Sequence, residues 1–182
     1  MMNTKDILDE KDKMLHVVCE EVTFPISDEY KKTIDDMIEY LTISQNEALA
    51  EQYNLRPGMG LAAPQLGIKK RFFVVVEELE DKTFRNHIVF NPKVISTSEE
   101  RIYASSGEGC LSVNREVDGI VPRYARITIS AQDMDGNEVR LRAREEASIA
   151  YQHEIDHLNG ILFTDRINKE DPYKDMDKYR EI

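Results

Sequence analysis

The residues best suited to chemistry lie in Gln152-His153-Glu154-Ile155-Asp156-His157-Leu158, a His-Glu-x-x-His pattern with apolar flanks. On a helix, His153 and His157 sit one turn apart on the same face. That spacing lets two imidazole nitrogens bind one metal ion. Glu154 is turned by about 100° from His153, so it reaches a water at the metal without displacing it. Ser148-Ile149-Ala150-Tyr151 leads in with apolar character, and Asn159-Gly160 supplies a helix stop with glycine at the left-handed position. The spacing therefore predicts one helix holding all five motif residues. Two histidines and a glutamate also meet by chance on solvated helix faces, so the pattern alone does not make a metal site.

A hydrolytic metal site needs about three protein ligands and one open position. A protease pattern with a third histidine six positions beyond the second fails, because Phe163 stands there. Glu170 and Glu181 lie in a polar tail with no helical stripe to present them. Cys110 is the better candidate. It sits in Ser106-Gly107-Glu108-Gly109-Cys110-Leu111-Ser112, where the glycines let a strand-edge backbone approach a ligand, and thiolate binds zinc or ferrous iron strongly. Cys19 follows Val17-Val18 and reads as a small buried hydrophobe. His16 and His87 lack matching geometry and read as surface or core histidines.

The whole chain bounds what can surround these residues. At 182 residues it suits one domain, residues 1–182, with room for a real core. The contents, 41% hydrophobic and 32% charged, are those of a soluble globular protein, and a net charge of −11 argues against a nucleic-acid-coating surface. Met1 to Asp12 lacks the apolar run of a signal peptide, and no stretch is long enough to cross a bilayer. Two cysteines make no disulfide framework. These features together predict a cytoplasmic protein.

In chain order, the segment up to Val22 reads as surface strand or loop. Phe24-Pro25-Ile26-Ser27 reads as a helix entry with Ser27 as N-cap. Ile34, Met37, Ile38 and Leu41 then form one apolar stripe at i, i+3, i+4, i+7. Ser44 with Glu47 reads as the capping box of a short second helix ending near Tyr53, and Pro57-Gly58 breaks regular structure. Gly58 to Gln65 is, taken alone, a turn or a place where backbone approaches a ligand, and not a phosphate cradle. Arg71–Glu77 reads as a buried strand and Ile88-Val89-Phe90 as another, with a solvent loop from Glu77 to Asn86. Ile127, Ile129 and Ala131 alternate with polar residues, and Asp135-Gly136 turns the chain into Val139 and Leu141, a β-hairpin. Ile161-Leu162-Phe163 reads as one more strand and the tail from Asn168 as loosely held. Strands joined by hairpins, without interleaved helices, predict an α+β fold: antiparallel sheets packed around a central metal-binding helix, with N-terminal helices.

Gly58-Met59-Gly60-Leu61-Ala62-Ala63-Pro64-Gln65, Glu108-Gly109-Cys110-Leu111-Ser112 and Gln152 to Leu158 together resemble the three motifs of peptide deformylase, in that family's order and roughly its spacing. The resemblance spans about residues 57 to 167. The long segment before the first motif, and Val113-Asn114 after the second, resemble the type 2 enzymes of Gram-positive bacteria. Two departures stand out. Asp12-Lys13-Met14-Leu15-His16 replaces the family's Gly-x-Pro-x-Leu-Arg, and Glu145-Glu146 replaces a Gly plus an apolar residue. The latter brings carboxylates close to the expected methionine pocket, where they must face water.

The resemblance implies a metal-dependent hydrolase that removes the formyl group from the N-terminal formyl-methionine of new proteins and releases formate. Cys110, His153 and His157 would hold one divalent metal, usually ferrous iron, though the same donors accept zinc, nickel or cobalt. Glu154 would be the general acid/base. Gln65, through its amide, and Leu111, through its backbone N–H, would donate to the developing oxyanion. Gly60 would pair with substrate as an added strand, and Ile149, Ala150 and His153 would line the methionine pocket. The partners implied are formyl-methionyl nascent peptides and, transiently, the ribosome, with no membrane and no direct nucleic-acid readout. Two rivals make distinct demands. An endopeptidase needs a downstream Glu or His as third ligand, and a structural zinc site needs a fourth ligand.

Overall fold

The computed structural model describes residues 2–182. Along the chain come α1 (Asp28–Ser44), α2 (Glu47–Tyr53), β1 (Gly60–Ala62), β2 (Phe72–Glu78), β3 (Phe84–Thr97), β4 (Arg101–Tyr103), β5 (Arg123–Tyr124), β6 (Arg126–Gln132), β7 (Glu138–Arg144), α3 (Glu145–Leu158), α4 (Phe163–Arg166) and β8 (Arg180–Glu181). Single 3₁₀ turns lie at Thr4–Asp6, Lys13–His16, Ala63–Leu66 and Met176–Lys178. The main sheet is antiparallel, in the order β1-β2-β3-β6-β7, and a smaller sheet runs β5-β4-β8. This is the α+β architecture that hairpin-linked strands predict.

The main sheet is covered on both faces, which explains why β2 is one continuous apolar run. Phe72, Val74 and Val76 pack with Ile34, Met37 and Leu41 of α1. Their neighbours Phe73 and Val75 point the other way and pack with Tyr151, Ile155 and Leu158 of α3. The apolar stripe of α1 is therefore core, and Ser27 caps that helix by accepting from Tyr30 N. The β6–β7 hairpin has the expected faces: Ile127, Ile129 and Ala131 are buried, and Gly136 takes φ +85° in the turn. In α3, which carries the His-Glu-x-x-His residues, Asn159 ends the helix and Gly160 follows at φ +72°.

Several boundaries differ from the sequence reading, each for a local reason. The N-cap of α2 is Asn46, which accepts from Leu49 N, whereas Ser44 ends α1 and turns its hydroxyl to Leu41 O and Gly58 N. The loop after β2 is short, because Glu78 already pairs with Phe84 across the hairpin. β3 continues through Asn91-Pro92, where Asn91 takes φ +49° and the register against β6 shifts between Phe90 and Lys93. Proline has no N–H for the ladder, and the Asn91 side chain compensates by bonding Val22 N and Val22 O at 2.8 and 2.9 Å. Ile161-Leu162-Phe163 is no strand. Leu162 N donates to Asp165 Oδ2, which starts α4 and buries Phe163.

The two ends of the chain are tied down, contrary to their polar appearance. At the C-terminal end β8 pairs in parallel with β4, and Arg180 bonds Glu100 and Glu145. At the N-terminal end the segment before Val22 is a strap, not a surface loop. Leu8 N donates to Gln65 O, Glu10 N to Ser112 O and Cys19 N to Leu158 O. Leu15, on this strap, is fully buried. Leu15→Ala is accordingly expected to lower the unfolding free energy by about 2–5 kcal/mol. Val18→Ala, at a side chain 64% exposed, should change it by less than about 0.5 kcal/mol. Urea unfolding of both variants checks this, and equally small effects would mean the strap is not part of the core.

Candidate metal centre

The helix α3 brings His153 and His157 to one face, with ring centroids 4.9 Å apart and planes at 72°. Cys110 arrives from the long connection between β4 and β5, and its Sγ lies 3.3 Å from His157 Nε2. One donor atom from each of Cys110, His153 and His157 falls within 4.8 Å of the others, and all three residues are buried. Among the described residues this is the one His/Cys/Asp/Glu group with that property. A sulfur and two imidazole nitrogens suit zinc, ferrous iron, nickel or cobalt. His153 Nδ1 bonds Glu108 Oε2 at 3.0 Å, which leaves Nε2 for the cluster. A carboxylate behind the ring is how metal-binding imidazoles are commonly oriented. Phe163 stacks on His153 with centroids 6.1 Å apart and shields that ring. The residues fit a metal ion.

The helix is held in register by its own polar residues. The Gln152 amide donates to Tyr124 O and accepts from Tyr124 N, and Ser148 Oγ also donates to Tyr124 O. These contacts set α3 against β5, whose Arg123 is buried and forked. Its Nε and Nη2 reach Glu108 at 2.6 and 2.9 Å, and its Nη1 reaches Asp156 at 2.6 Å. Arg166 adds a second fork on Asp156. The loop that carries Cys110 is fastened by Arg56, which donates to the carbonyls of Cys110, Leu111 and Val113 and to the Asn114 side chain. The strap closes the other side through Glu10 N on Ser112 O and an Arg115–Glu10 ion pair.

Gln65, in the turn after β1, has its Oε1 fixed by Ala62 N at 2.9 Å. Its Nε2 donates to Ser112 Oγ at 3.0 Å and faces Cys110 Sγ at 3.7 Å. Ser112 N also donates to Cys110 Sγ, at 3.4 Å. The neighbouring Leu111 N–H has no acceptor among the described residues. β1 lies at the edge of the sheet, paired among the described residues with β2 alone. A Cβ at Gly60 would overlap the Glu154 carboxylate, so only glycine lets that strand run so close to the helix. Gly60, Gln65, Cys110, Ile149, Ala150, His153 and Glu154 line one cavity of about 590 Å³. Leu111 lines it as well, and every site residue expected from sequence except His157 faces this space.

The charges in the site are strongly biased. Burial pushes the Glu154 carboxyl up to about 7 among protein groups alone, with its Oε2 a buried acceptor that has no protein partner among the described residues. A dication in the cluster would draw that value down. Burial alone would raise Glu108 too, but Arg123 and His153 hold it at about 2. Burial and the neighbouring His153 push His157 well below the ordinary imidazole value, which favours the neutral, ligating form. At His153 burial is outweighed by Cys110 and Glu108, which lift its pKa well above normal. These groups favour a positive charge, which a metal ion supplies in place of the proton.

The two departures noted in sequence are resolved differently. Glu145 takes φ +53°, a conformation that glycine adopts without cost, and its carboxylate is held by Arg180 at 2.8 and 3.0 Å. Glu146 is exposed and lines the cavity. Asp12 caps the second 3₁₀ turn by accepting from Met14 N, so the altered N-terminal sequence still forms an ordered strap. Glu170 and Glu181 are outside the metal cluster, and His16 and His87 bond Glu10 O and Tyr151 respectively. Arg56, Arg123 and Phe163 carry no local sequence signal that marks them as parts of the site. Glu108 and Asp156 could have been, since each stands inside a motif beside a metal-ligand candidate.

Comparison with known proteins gives a consistent result. The sequence model described as polypeptide deformylase matches residues 4–173. The chain is 53% identical to peptide deformylase 2 of Bacillus anthracis over 95% of its own length and 94% of that protein. It is 51% identical to peptide deformylase 2 of Bacillus cereus, again over 95% and 94%. Its structure is similar to the crystal structure of peptide deformylase from Thermotoga maritima, with a TM-score of 0.70, 34% identity, and coverage of 89% of this chain and 96% of that one.

The geometry generates a direct test of the third ligand. Cys110→Ala is expected to lower bound metal and activity together, while Cys19→Ala, 4% exposed and far along the strap, should leave both near parental levels. Metal analysis after anaerobic purification checks it, and full occupancy in Cys110→Ala would remove Cys110 from the ligand set.

Proposed function

The chain belongs to the polypeptide deformylase family, and we propose that residues 1–182 act as one catalytic domain whose Cys110, His153 and His157 hold a single ferrous ion. The family removes the N-formyl group from the N-terminal formyl-methionine of nascent peptides in a metal-dependent hydrolysis, and this chain is a hydrolase of that kind. One observation carries the assignment of roles: the cysteine–histidine cluster, a buried glutamate, an amide donor and a free strand edge surround one cavity.

A divalent cation supplies Lewis acidity at such a site, drawing the pKa of water towards about 7; zinc, nickel and cobalt suit these donors as well as iron. Peptide substrate pairs its backbone with the free edge of β1 near Gly60. Its methionine side chain rests on Ile149 and Ala150, in the apolar part of the cavity. The formyl oxygen, as it gains negative charge, receives hydrogen bonds from Gln65 Nε2 and Leu111 N–H. Glu154 Oε2 accepts the proton from the attacking water and later delivers it to the departing amine, leaving formate and a free N-terminus. Burial pushes the Glu154 carboxyl up, against the pull of a dication, and so favours its taking and returning a proton.

Two rivals lose support. The endopeptidase reading needs a downstream Glu or His in the cluster, and a structural zinc needs a fourth donor; neither is found among the described residues. Formyl-methionyl nascent peptides are the proposed partners, met transiently at the ribosome in the cytoplasm, without membrane attachment or nucleic-acid readout. Among the described residues no helix is long and apolar enough to cross a membrane.

Glu154→Gln keeps size and hydrogen bonding while removing the proton acceptor. Its formate release from formyl-Met-Ala-Ala should fall by about 100- to 10,000-fold, with metal content and melting temperature nearly unchanged. Parental turnover in this variant would refute the assigned base, and a parent protein that releases no formate would refute the activity itself.

A further inference from the structure

Glu146, Ile149, Ala150 and His153 stand at i, i+3, i+4 and i+7 of α3, one helical stripe, and all four line the cavity. Ile149 and Ala150 form the wall next to the metal cluster, and Glu146 lies one turn further out, roughly 5 Å along the axis. It is exposed, and it forms no ion pair or hydrogen bond through its side chain among the described residues. The other charged side chains on the cavity are committed. Arg56 is spread over three loop carbonyls, Glu108 is bound by Arg123 and His153, and Glu154 is at the reacting centre. Glu145, next to Glu146, is neutralised by Arg180. Among the described residues, Glu146 is therefore the one charged side chain at the rim of the cavity without a partner.

A peptide paired as a strand on the edge of β1 alternates its side chains between two sides. The third residue therefore points to the same side as the methionine, roughly 7 Å further along. A lysine or arginine there reaches Glu146 with its long stem lying on the apolar wall. We propose that Glu146 is a specificity-determining residue: it favours formyl-methionyl peptides with a basic third residue and disfavours those with an acidic one. This rests on the deformylase reading above.

The test uses metal-loaded enzyme and C-terminally amidated formyl-Met-Ala-Lys, formyl-Met-Ala-Ala, formyl-Met-Ala-Glu and formyl-Met-Lys-Ala. Rates are compared as ratios within each protein, for the parent, Glu146→Gln and Glu146→Lys. The parent should prefer Lys over Glu at the third position by about three- to ten-fold in kcat/KM, as expected for a solvent-facing pair counted once in attraction and once in repulsion. The difference should lie in KM, because ground state and transition state share the contact. It should shrink towards unity in Glu146→Gln, reverse in Glu146→Lys and fade near about 1 M salt. A flat parental profile, an undiminished preference in Glu146→Gln, or a preference confined to the second position would overturn the proposal while leaving the activity intact. Absence of formate from every peptide would overturn the activity and the proposal together.

Discussion

The Arg123 guanidinium holds two carboxylates that belong to different parts of the chain, and the site depends on that grip. Glu108 precedes Cys110 in the loop, and Asp156 precedes His157 in the helix. All three groups are almost wholly buried, with side chains 2%, 4% and 6% exposed for Arg123, Glu108 and Asp156. Taking such charges out of water is expensive, and a well-packed apolar substitute is often as stable. What the network contributes is position. Glu108 also bonds His153 Nδ1, so the same carboxylate sets the height of the Cys110 loop and the rotation of a metal-binding ring. Loss of Arg123 would leave Glu108 with His153 and Asp156 with Arg166 as remaining side-chain partners, and breaking a buried pair by removing one partner is a change of the kind that costs about 3–5 kcal/mol.

The remaining elements act on the Gln65 turn, the Cys110 loop and the metal helix from other directions. The strap before Val22 donates one backbone N–H to each: to the Gln65 turn, to the Cys110 loop and to the end of the metal helix. Arg56 collects the loop carbonyls on the far side, and the Leu111 N–H between them has no acceptor among the described residues. The sheet supplies a rigid floor, with α1 packed on one face and α3 on the other. Under the roles proposed for Gln65 and Leu111, rigidity serves chemistry, since donors to a developing oxyanion help only when they are fixed before the charge appears.

What could be read from sequence was what local spacing encodes. His153, Glu154 and His157 declare themselves by helical periodicity, Cys110 by its glycine-flanked setting, and the α1 stripe and the Asp135-Gly136 hairpin by their patterns. The strap was not legible because it binds through main-chain N–H groups, which carry no residue signature. The tail reads as loose in sequence because its ties are a parallel β-pair and an arginine that reaches residues 35 and 80 positions away. Arg56 and Arg123 look like ordinary surface cations, since arginine is rarely buried without partners and those partners are distant in sequence. Phe163 reads as strand in sequence because a short apolar run does not distinguish a strand from the start of a helix.

If the buried network positions the metal ligands, weakening it should weaken metal binding before it weakens the fold. Glu108→Gln keeps the side chain's shape and removes its charge, while Arg123 retains Asp156 as a partner. The most direct measurement is the metal affinity of this variant by chelator competition, with near-UV circular dichroism to show that tertiary packing persists. The account predicts a loss of about 10- to 100-fold in affinity with a parental spectrum. Parental affinity in a folded Glu108→Gln protein would contradict it.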